Sequence, residues 1–199
     1  MDIMRTILVL VSCYLLGSVP WGVIVGRKHG VDVLSRGSGS TGATNVYRTV
    51  GKKAAALVLV LDVVKGCAGP LIGGRLSALN PDIGAVLGGV AAIAGHCYSP
   101  FLGFKGGKGV ATSAGAALVI LYRFIPIGLA IFAVIAIITR YASLASLTAV
   151  TTVVGMVLFS CESFAYKAFA LVAAAIIFYR HIPNIKRLMS GRENRIDPA

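Results

Sequence analysis

The sequence predicts an all-α integral membrane protein with about seven transmembrane helices, built as one membrane-embedded domain over residues 1–199. Hydrophobic residues form 57% of the chain and charged residues 13%, and the mean hydropathy is +0.85. Soluble domains carry roughly 25% charged residues. Polar, glycine-rich sequence is confined to three short clusters at the ends of long apolar segments. Spans of about 20 residues leave no room for a separate soluble domain.

The first apolar segment, residues 6–25, has no charged residue and is followed by Arg27, Lys28 and His29. This basic flank predicts a retained span and not a cleaved signal peptide. Apolar runs bounded by charge, proline or glycine predict seven spans in total. Several are shorter than the roughly 30 Å hydrocarbon core, so either flanking residues lengthen them, or the protein thins the bilayer locally, or they are re-entrant segments. The predicted spans are 4–26, 54–74, 83–97, 110–122, 124–139, 142–161 and 164–179.

The positions of the basic residues predict the orientation. With the N-terminus outside and the C-terminus cytoplasmic, fourteen Lys and Arg residues fall on inner segments and four on outer ends. This bias follows the positive-inside rule and places all three polar clusters on the cytoplasmic face. The four outer residues are Arg5, Arg75, Arg123 and Lys167, and Lys65 lies within a span.

The net charge of +12 is compatible with binding of nucleic acid or anionic lipid, but orientation signals explain much of it. Four scattered cysteines, without a C-x-x-C pair, suggest neither a zinc site nor disulfides and are interpreted as small core residues. Asp62 and Lys65, three residues apart within the second span, are interpreted as a structural ion pair that faces the bundle, with a functional role as the alternative.

The first polar cluster, GSGSTGATNVYR, occupies residues 37–48. Its glycines allow successive backbone N–H groups to face one anion without a Cβ in the way, so the loop is a candidate phosphate cradle. An ordinary turn before a capped helix is the alternative. Arg48 can add a bidentate, permanently charged clamp. The candidate phosphate-binding residues are Gly37, Ser38, Gly39, Thr41 and Asn45.

The second cluster, GHCYSPFLGFKGGKGVAT at residues 95–112, repeats glycines around lysines before a predicted helix. A helix N-terminus attracts anions, which supports a second phosphate site. The segment is not a Walker A loop, because Leu102 replaces its first glycine and Gly109 follows Lys108 in place of Ser or Thr. The candidate phosphate-binding residues here are Lys105, Gly106, Gly107, Lys108 and Gly109.

The third cluster, HIPNIKRLMSGRENR at residues 181–195, begins the tail after the last predicted span. A histidine at a membrane edge is usually an interfacial group, so His181 alone is weak evidence for a site. Two glycine-rich loops, Arg48, two lysines and the His181/Asn184 pair on one face together predict a site for two anionic groups. Phosphate is the favoured anion.

These motifs, together with GSVPWG at residues 17–22, resemble the PlsY family, the bacterial membrane glycerol-3-phosphate acyltransferases that use acyl phosphate. The resemblance implies acyl transfer from acyl phosphate to the 1-hydroxyl of sn-glycerol 3-phosphate, giving lysophosphatidic acid and phosphate. It implies a multi-pass protein of the cell inner membrane, without cofactor, metal or nucleic-acid partner; a monomer is plausible. The departure is Ser40, where the family commonly has Asn.

By the family's pattern, the catalytic candidates are Ser38, Arg48, Lys108, His181 and Asn184, with Ser143, Arg187 and Glu193 as further candidates. Glu193 is interpreted as a structural residue that ties down the tail by ion pairing. Acyl phosphate already contains a good leaving group, so positioning and stabilisation of the oxyanion are the main demands.

The general base stays open between His181 and a substrate phosphate, with a preference for the phosphate because nearby cations would depress the pKa of the histidine. The H-x-x-x-x-D dyad of other acyltransferases is absent, since Leu34, Phe101 and Lys186 occupy the fifth position after the three histidines. The main rival function is a transporter for small anions or phosphate esters, which typically binds its substrate near the bilayer midplane. A purely structural membrane subunit explains none of the loops.

Overall fold

The computed structural model describes residues 2–160 and 162–196, and every regular element in these ranges is a helix. Each predicted apolar run forms a helix, which confirms the all-α class. Cys161, interpreted above as a core residue, lies outside the described residues. The helices are α1 (Asp2–Ser18), α2 (Trp21–Lys28), α3 (Ala43–Thr49), α4 (Lys52–Leu76), α5 (Pro81–Cys97), α6 (Val110–Ile120), α7 (Ile125–Thr139), α8 (Ala142–Leu158) and α9 (Phe164–Met189), with a 3₁₀ turn at Pro100–Leu102.

Four helical stretches are long and apolar enough to cross a membrane. They are Asp2–Lys28, Lys52–Leu76, Pro81–Leu102 and Phe164–Met189, whereas α6, α7 and α8 are shorter apolar helices of 11, 15 and 17 residues. A multi-pass membrane protein is therefore supported by length and composition. The count of seven crossings and the orientation of the termini stay predictions.

The first crossing is interrupted at Val19 and Pro20, between α1 and α2. Proline has no N–H to continue the helical hydrogen-bond ladder, so a break is expected at this point. The ammonium of Lys65 on α4 donates a 2.8 Å hydrogen bond to the Val19 carbonyl and fixes the break against the bundle.

Helices α4 and α5 approach each other through glycines. A Cβ added to Gly73 would lie 2.1 Å from the Gly84 carbonyl oxygen, and one added to Gly88 would lie 2.3 Å from that of Gly69. Lipid tails are as apolar as the helix surfaces, so close packing of small residues is a main source of helix association in membranes. This contact makes α4 and α5 a closely packed pair that supports the polar loops.

In the other half of the bundle, α6 and α9 pack on α5, and α8 packs on α7 and α9. Its core includes Ile93, Ile120, Val157 and Phe169. Most helix ends lie within a few residues of the sequence prediction, and the largest difference is at the C-terminal end of the last span. The last span was predicted to end at residue 179, but α9 continues to Met189. His181, Asn184 and Arg187 therefore lie on its last turns and not in a tail, and a helix holds these side chains in fixed relative positions.

Candidate active site

A cavity of about 420 Å³ lies where the first two polar loops meet the end of α9. It brings together members of all three sequence clusters: Ser38 and Gly39 from the first, Gly106 and Lys108 from the second, and Asn184 and Arg187 from the third. Its remaining lining residues are Ser40, Tyr179, Arg180, Ile182 and Pro183. The three polar clusters predicted to form one composite site therefore meet at one cavity.

The first loop is shaped by Asn45, which is almost fully buried. Its side-chain oxygen accepts a 2.8 Å hydrogen bond from the Ser38 N–H, and its amide donates to the carbonyls of Val33 and Ser40 at 2.8 and 2.9 Å. A Cβ on Gly37, whose φ is 59°, would lie 2.3 Å from that oxygen. Asn45 and Gly37, both expected to bind phosphate, thus fix the conformation of the loop, whereas Ser38 and Gly39 line the cavity.

The second loop is held in place by Arg180. Its guanidinium donates to the carbonyl oxygens of Gly106 and Gly107 at 2.7 and 3.1 Å and lies over the Tyr98 ring, 5.4 Å from the centroid. Both carbonyls are thereby turned toward the arginine. A planar guanidinium suits such a paired contact because its donors form a rigid fork.

The two lysines of this loop differ in position. Lys108 lines the cavity, just before the N-terminus of α6, whereas Lys105 is exposed and lies outside the cavity. Gly109, with φ of 81°, is the residue that turns the chain into α6. Of the five phosphate-binding candidates in this segment, Gly106 and Lys108 line the cavity.

The lining of the cavity is basic. Lys108, Arg180 and Arg187 contribute three cationic side chains, and no carboxylate of the described residues lines the cavity. Burial lowers the pKa of Lys108 to about 8; Glu193 opposes this shift, and the charges of neighbouring arginines add to it. A dianionic ligand would relieve the repulsion among these cations, so the arrangement suits a phosphate group.

Glu193 joins the tail to the site. Its carboxylate accepts hydrogen bonds from Asn184 Nδ2 at 2.6 Å, Ser143 Oγ at 2.9 Å and Arg187 Nε at 2.8 Å. Burial acts to raise the pKa of Glu193, but these hydrogen bonds and the Arg187 charge hold it below its ordinary value. The ion pairing expected for Glu193 is present, and it orients Asn184 beside the cavity.

His181 is 2% exposed on α9 and is not among the residues that line the cavity. Its Nδ1 lies 2.8 Å from the Ile177 carbonyl oxygen. A carbonyl can only accept, so Nδ1 carries a proton and Nε2 is the ring atom able to take up another.

Arg48 contacts the C-terminal tail. Its guanidinium donates to the carbonyl oxygens of Arg195 and Asn194 at 2.8 and 3.0 Å. The expected clamp of Arg48 on a phosphate stays a prediction.

An apolar groove lies between α6, α7, α8 and α9, and its lining residue Val110 is two residues from Lys108 of the polar cavity. Its end nearest the cavity includes Val110 and Ser113, close to Lys108 in the chain, and Ile177, one turn before His181. Its far end includes Leu121 and Phe169. The sequence analysis did not find this groove, because its lining is spread over four apolar helices.

The sequence analysis also missed Arg180, which it counted only among the cytoplasmic positive charges. Its position next to His181 was the available signal. As for metals, the described residues contain no group of three or more His, Cys, Asp or Glu side chains placed to hold an ion.

Comparison with known proteins identifies the family of the chain. The profile of the glycerol-3-phosphate acyltransferase family matches residues 7–191. A glycerol-3-phosphate acyltransferase of Synechococcus sp. (strain CC9902) is 43% identical over 198 residues, which cover 98% of this chain and 96% of that protein. That of Lactiplantibacillus plantarum is 38% identical over 97% of this chain and 93% of its own length.

The fold is also similar to crystal structures of PlsY, an integral membrane glycerol 3-phosphate acyltransferase. Its glycerol 3-phosphate form superposes with a TM-score of 0.90 and its lysophosphatidic acid form with 0.87. In both cases the sequences are 36% identical, and the match covers 96% of this chain and 94% of the PlsY chain. The chain therefore belongs to the glycerol-3-phosphate acyltransferase family.

Proposed function

We propose that this protein transfers a fatty acyl group from acyl phosphate to the 1-hydroxyl of sn-glycerol 3-phosphate, giving lysophosphatidic acid and inorganic phosphate. The observation that carries the proposal is the closeness of a cationic cavity and an apolar groove, whose linings are two residues apart at Lys108 and Val110 and at Ile177 and Tyr179. Both substrates bear a phosphate, and one also bears a long hydrocarbon chain. A site for this reaction needs both environments side by side.

The polar cavity supplies the phosphate site of this proposal. Three cationic side chains provide positive charge, those of Lys108, Arg180 and Arg187. Ser38 and the backbone around Gly39 and Gly106 line the cavity with small polar groups. Charge-assisted hydrogen bonds from Lys and Arg to phosphate are about twice as strong as neutral ones. The family relationship and the glycerol 3-phosphate form of PlsY support glycerol 3-phosphate as the acceptor.

The apolar groove supplies the site of the acyl chain. Its lining consists almost wholly of Ala, Val, Leu, Ile, Phe and Gly, with Ser113 and Ser146 near the polar end. Burial of a hydrocarbon chain is worth about 0.8 kcal/mol per methylene relative to water. A donor embedded in the bilayer gains less, so the groove orients the chain and directs its carbonyl toward Lys108.

In the proposed reaction, the 1-hydroxyl oxygen attacks the carbonyl carbon of acyl phosphate. The tetrahedral oxyanion then expels phosphate as its C–O bond to the phosphoryl group breaks. The hydroxyl proton passes either to Nε2 of His181 or to a substrate phosphate oxygen. The cationic side chains stabilise both the oxyanion and the leaving phosphate. Ser38 and Asn184 are the neutral polar groups placed to orient the acceptor.

The setting of the reaction is part of the proposal. The N-terminus lies outside, the C-terminus and the cavity lie on the cytoplasmic face, and the chain crosses the cell inner membrane seven times. The protein acts without a cofactor. The cytoplasmic excess of Lys and Arg supports this orientation.

An assay of the purified protein in lipid nanodiscs tests the proposal. Labelled glycerol 3-phosphate is offered with palmitoyl phosphate, palmitoyl-CoA or palmitoyl-acyl carrier protein, and lysophosphatidic acid and phosphate are measured together. We expect product with palmitoyl phosphate alone, with one phosphate released per acyl group transferred. Equal turnover with palmitoyl-CoA would refute the proposed donor.

Two lysine variants connect the assay to the cavity. Lys108→Ala removes a charge from the cavity, and Lys105→Ala removes one from the exposed part of the same loop. We expect the first to reduce kcat/KM much more than the second. Equal losses in two folded variants would show that the cavity charge does not matter.

A further inference from the structure

Three ionisable side chains are buried beneath the polar loops and take no part in the proposed chemistry. Asp62 and Lys65 lie on α4 and His96 lies on α5, with exposures of 1%, 4% and 6%. None of them is among the residues that line the polar cavity. We refer to these three residues as the buried ionic cluster.

The cluster is connected internally through one carboxylate oxygen. Asp62 Oδ1 lies 2.9 Å from Lys65 Nζ and 3.6 Å from His96 Nδ1. The ion pair expected from the sequence is thus present, with a histidine added from the neighbouring helix. Buried ion pairs often give no net stability, because the desolvation cost offsets the attraction, and intramembrane charges are typically functional. The cluster therefore needs an explanation beyond stability.

One end of the cluster supports the second loop. A Cβ built on Gly107 would lie 2.1 Å from His96 Nε2, so the backbone of Gly107 rests directly on the imidazole ring. The Gly107 N–H also donates to the His96 carbonyl at 3.1 Å. Arg180 holds the same segment from the opposite side. The loop is thus clamped between His96 and Arg180.

The other end of the cluster supports the first loop. Lys65 donates to the Val19 carbonyl at the break before α2, which sets where α2 begins. On α2, a Cβ added to Gly22 would lie 1.9 Å from the Thr41 carbonyl oxygen, so this helix carries the Thr41 backbone. The Thr41 hydroxyl in turn lies 2.9 Å from the Cβ position of Gly107. Both loops therefore rest on one set of buried groups.

We propose that Asp62, Lys65 and His96 are positioning residues that fix the two glycine-rich loops relative to each other and so set the affinity of the cavity for phosphate. They act through Gly107 and Thr41 and do not touch the substrate. The proposal rests on the proposed function to the extent that the cavity is its phosphate site. A displacement of about 1 Å at such a site costs up to about a hundredfold in rate.

The first test separates positioning from folding. We would measure the Kd of inorganic phosphate by calorimetry, the KM for glycerol 3-phosphate and the Tm, for His96→Ala and for Asp62→Asn combined with Lys65→Met. We expect the Kd and KM to rise about tenfold or more in each variant that folds. Val86→Ala, a cavity-creating change in the far part of α5, is the control, with a lower Tm and unchanged Kd and KM.

A second test uses the coupling between Gly107 and His96. Gly107→Ala forces a Cβ into the His96 ring, and His96→Ala in the same chain removes that obstacle. We expect the double variant to bind inorganic phosphate no more weakly than the poorer single variant. Independent sites would instead give additive losses of binding free energy. His96→Gln, which keeps a polar group of similar reach, should recover part of the affinity lost in His96→Ala.

Two results would overturn the proposal: folded cluster variants with a wild-type Kd for phosphate, or additive losses in the Gly107/His96 cycle. Failure of the proposed function looks different. In that case wild-type protein binds inorganic phosphate, and the cluster variants weaken this binding, but no acyl transfer from palmitoyl phosphate is seen.

Discussion

Glu193→Gln is the most informative single change outside the cavity, because it keeps the shape of the side chain and removes its charge. The wild-type carboxylate accepts from Asn184, Ser143 and Arg187. A glutamine cannot satisfy all three, since its NH₂ group must face either the Arg187 donor or the Asn184 donor. One contact becomes repulsive, whichever way the amide is turned.

The expected cost follows from these contacts. A hydrogen bond to a charged group contributes about 1.5 to 3 kcal/mol and a neutral one about 0.5 to 1.5 kcal/mol. The Arg187 side chain is 35% exposed, so solvent screening reduces its share to about 1 kcal/mol. With one further neutral hydrogen bond lost, we expect docking of the tail to weaken by about 2 kcal/mol, or roughly thirtyfold.

The assay combines kinetics with proteolysis. If Asn184 must be held by Glu193 for activity, kcat/KM should fall by up to about thirtyfold, and cleavage of the tail near Arg192 by trypsin should accelerate. Glu162→Gln, the same chemical change in the segment before α9, is the matched control. Unchanged kcat/KM together with unchanged cleavage in Glu193→Gln would refute the reasoning.

The pH dependence of tail cleavage gives a second test of the role of the Glu193 charge. The pKa of Glu193 is lowered in the folded protein, so its contribution to docking is present above the ordinary pKa of about 4.5 and is lost as the pH falls. Wild-type tail cleavage by a protease active in acid should accelerate on acidification. The Glu193→Gln tail should be cleaved quickly throughout.

The remaining predictions concern two cations and the orientation. Because the pKa of Lys108 is about 8, kcat/KM should fall above that pH as the ammonium loses its proton. Lys108→Arg should abolish this fall in kcat/KM at alkaline pH, and a pH profile unchanged in that variant would exclude Lys108 as its cause. Arg48→Lys keeps the charge but loses the planar fork, so we expect a loss of about 1.5 to 3 kcal/mol, roughly ten- to a hundredfold in kcat/KM; a near-neutral result contradicts a bidentate contact. Single cysteines at Thr49 and Ser190, in a cysteine-free background, should both be labelled from the cytoplasmic side, and labelling from opposite sides would disprove a single composite site.

Much of the fold was predictable because apolar and polar segments can be recognised from short stretches of the sequence. Apolar runs bounded by charge and glycine located every long helix, and the three polar clusters located the cavity. The end of α9 was predicted too early, because polar residues such as Arg180 and Lys186 look like a boundary in a hydropathy reading. They are helical because α9 continues beyond its apolar part to Met189.

Residue types did not predict which loop residues shape the loop and which line the cavity. Asn45 and Ser38 are both polar residues of one motif, yet the first is buried under the loop and the second lines the cavity. The sequence likewise could not reveal that His96 joins the Asp62–Lys65 pair, since this depends on how α4 and α5 pack. Such contacts between distant segments arise only from tertiary structure.

The shortness of α6 has a consequence for how deep the reaction takes place. Its 11 residues rise about 16 Å, roughly half the thickness of the hydrocarbon core. Arg123 follows one end of this helix, and Lys108 precedes the other. In the proposed orientation, which puts Arg123 at the outer surface, Lys108 lies several ångströms below the plane of the inner lipid headgroups. In the proposed reaction, the water-soluble acceptor would then descend into the membrane to meet the acyl carbonyl, and the acylated product could move sideways into the lipid leaflet without crossing a layer of water.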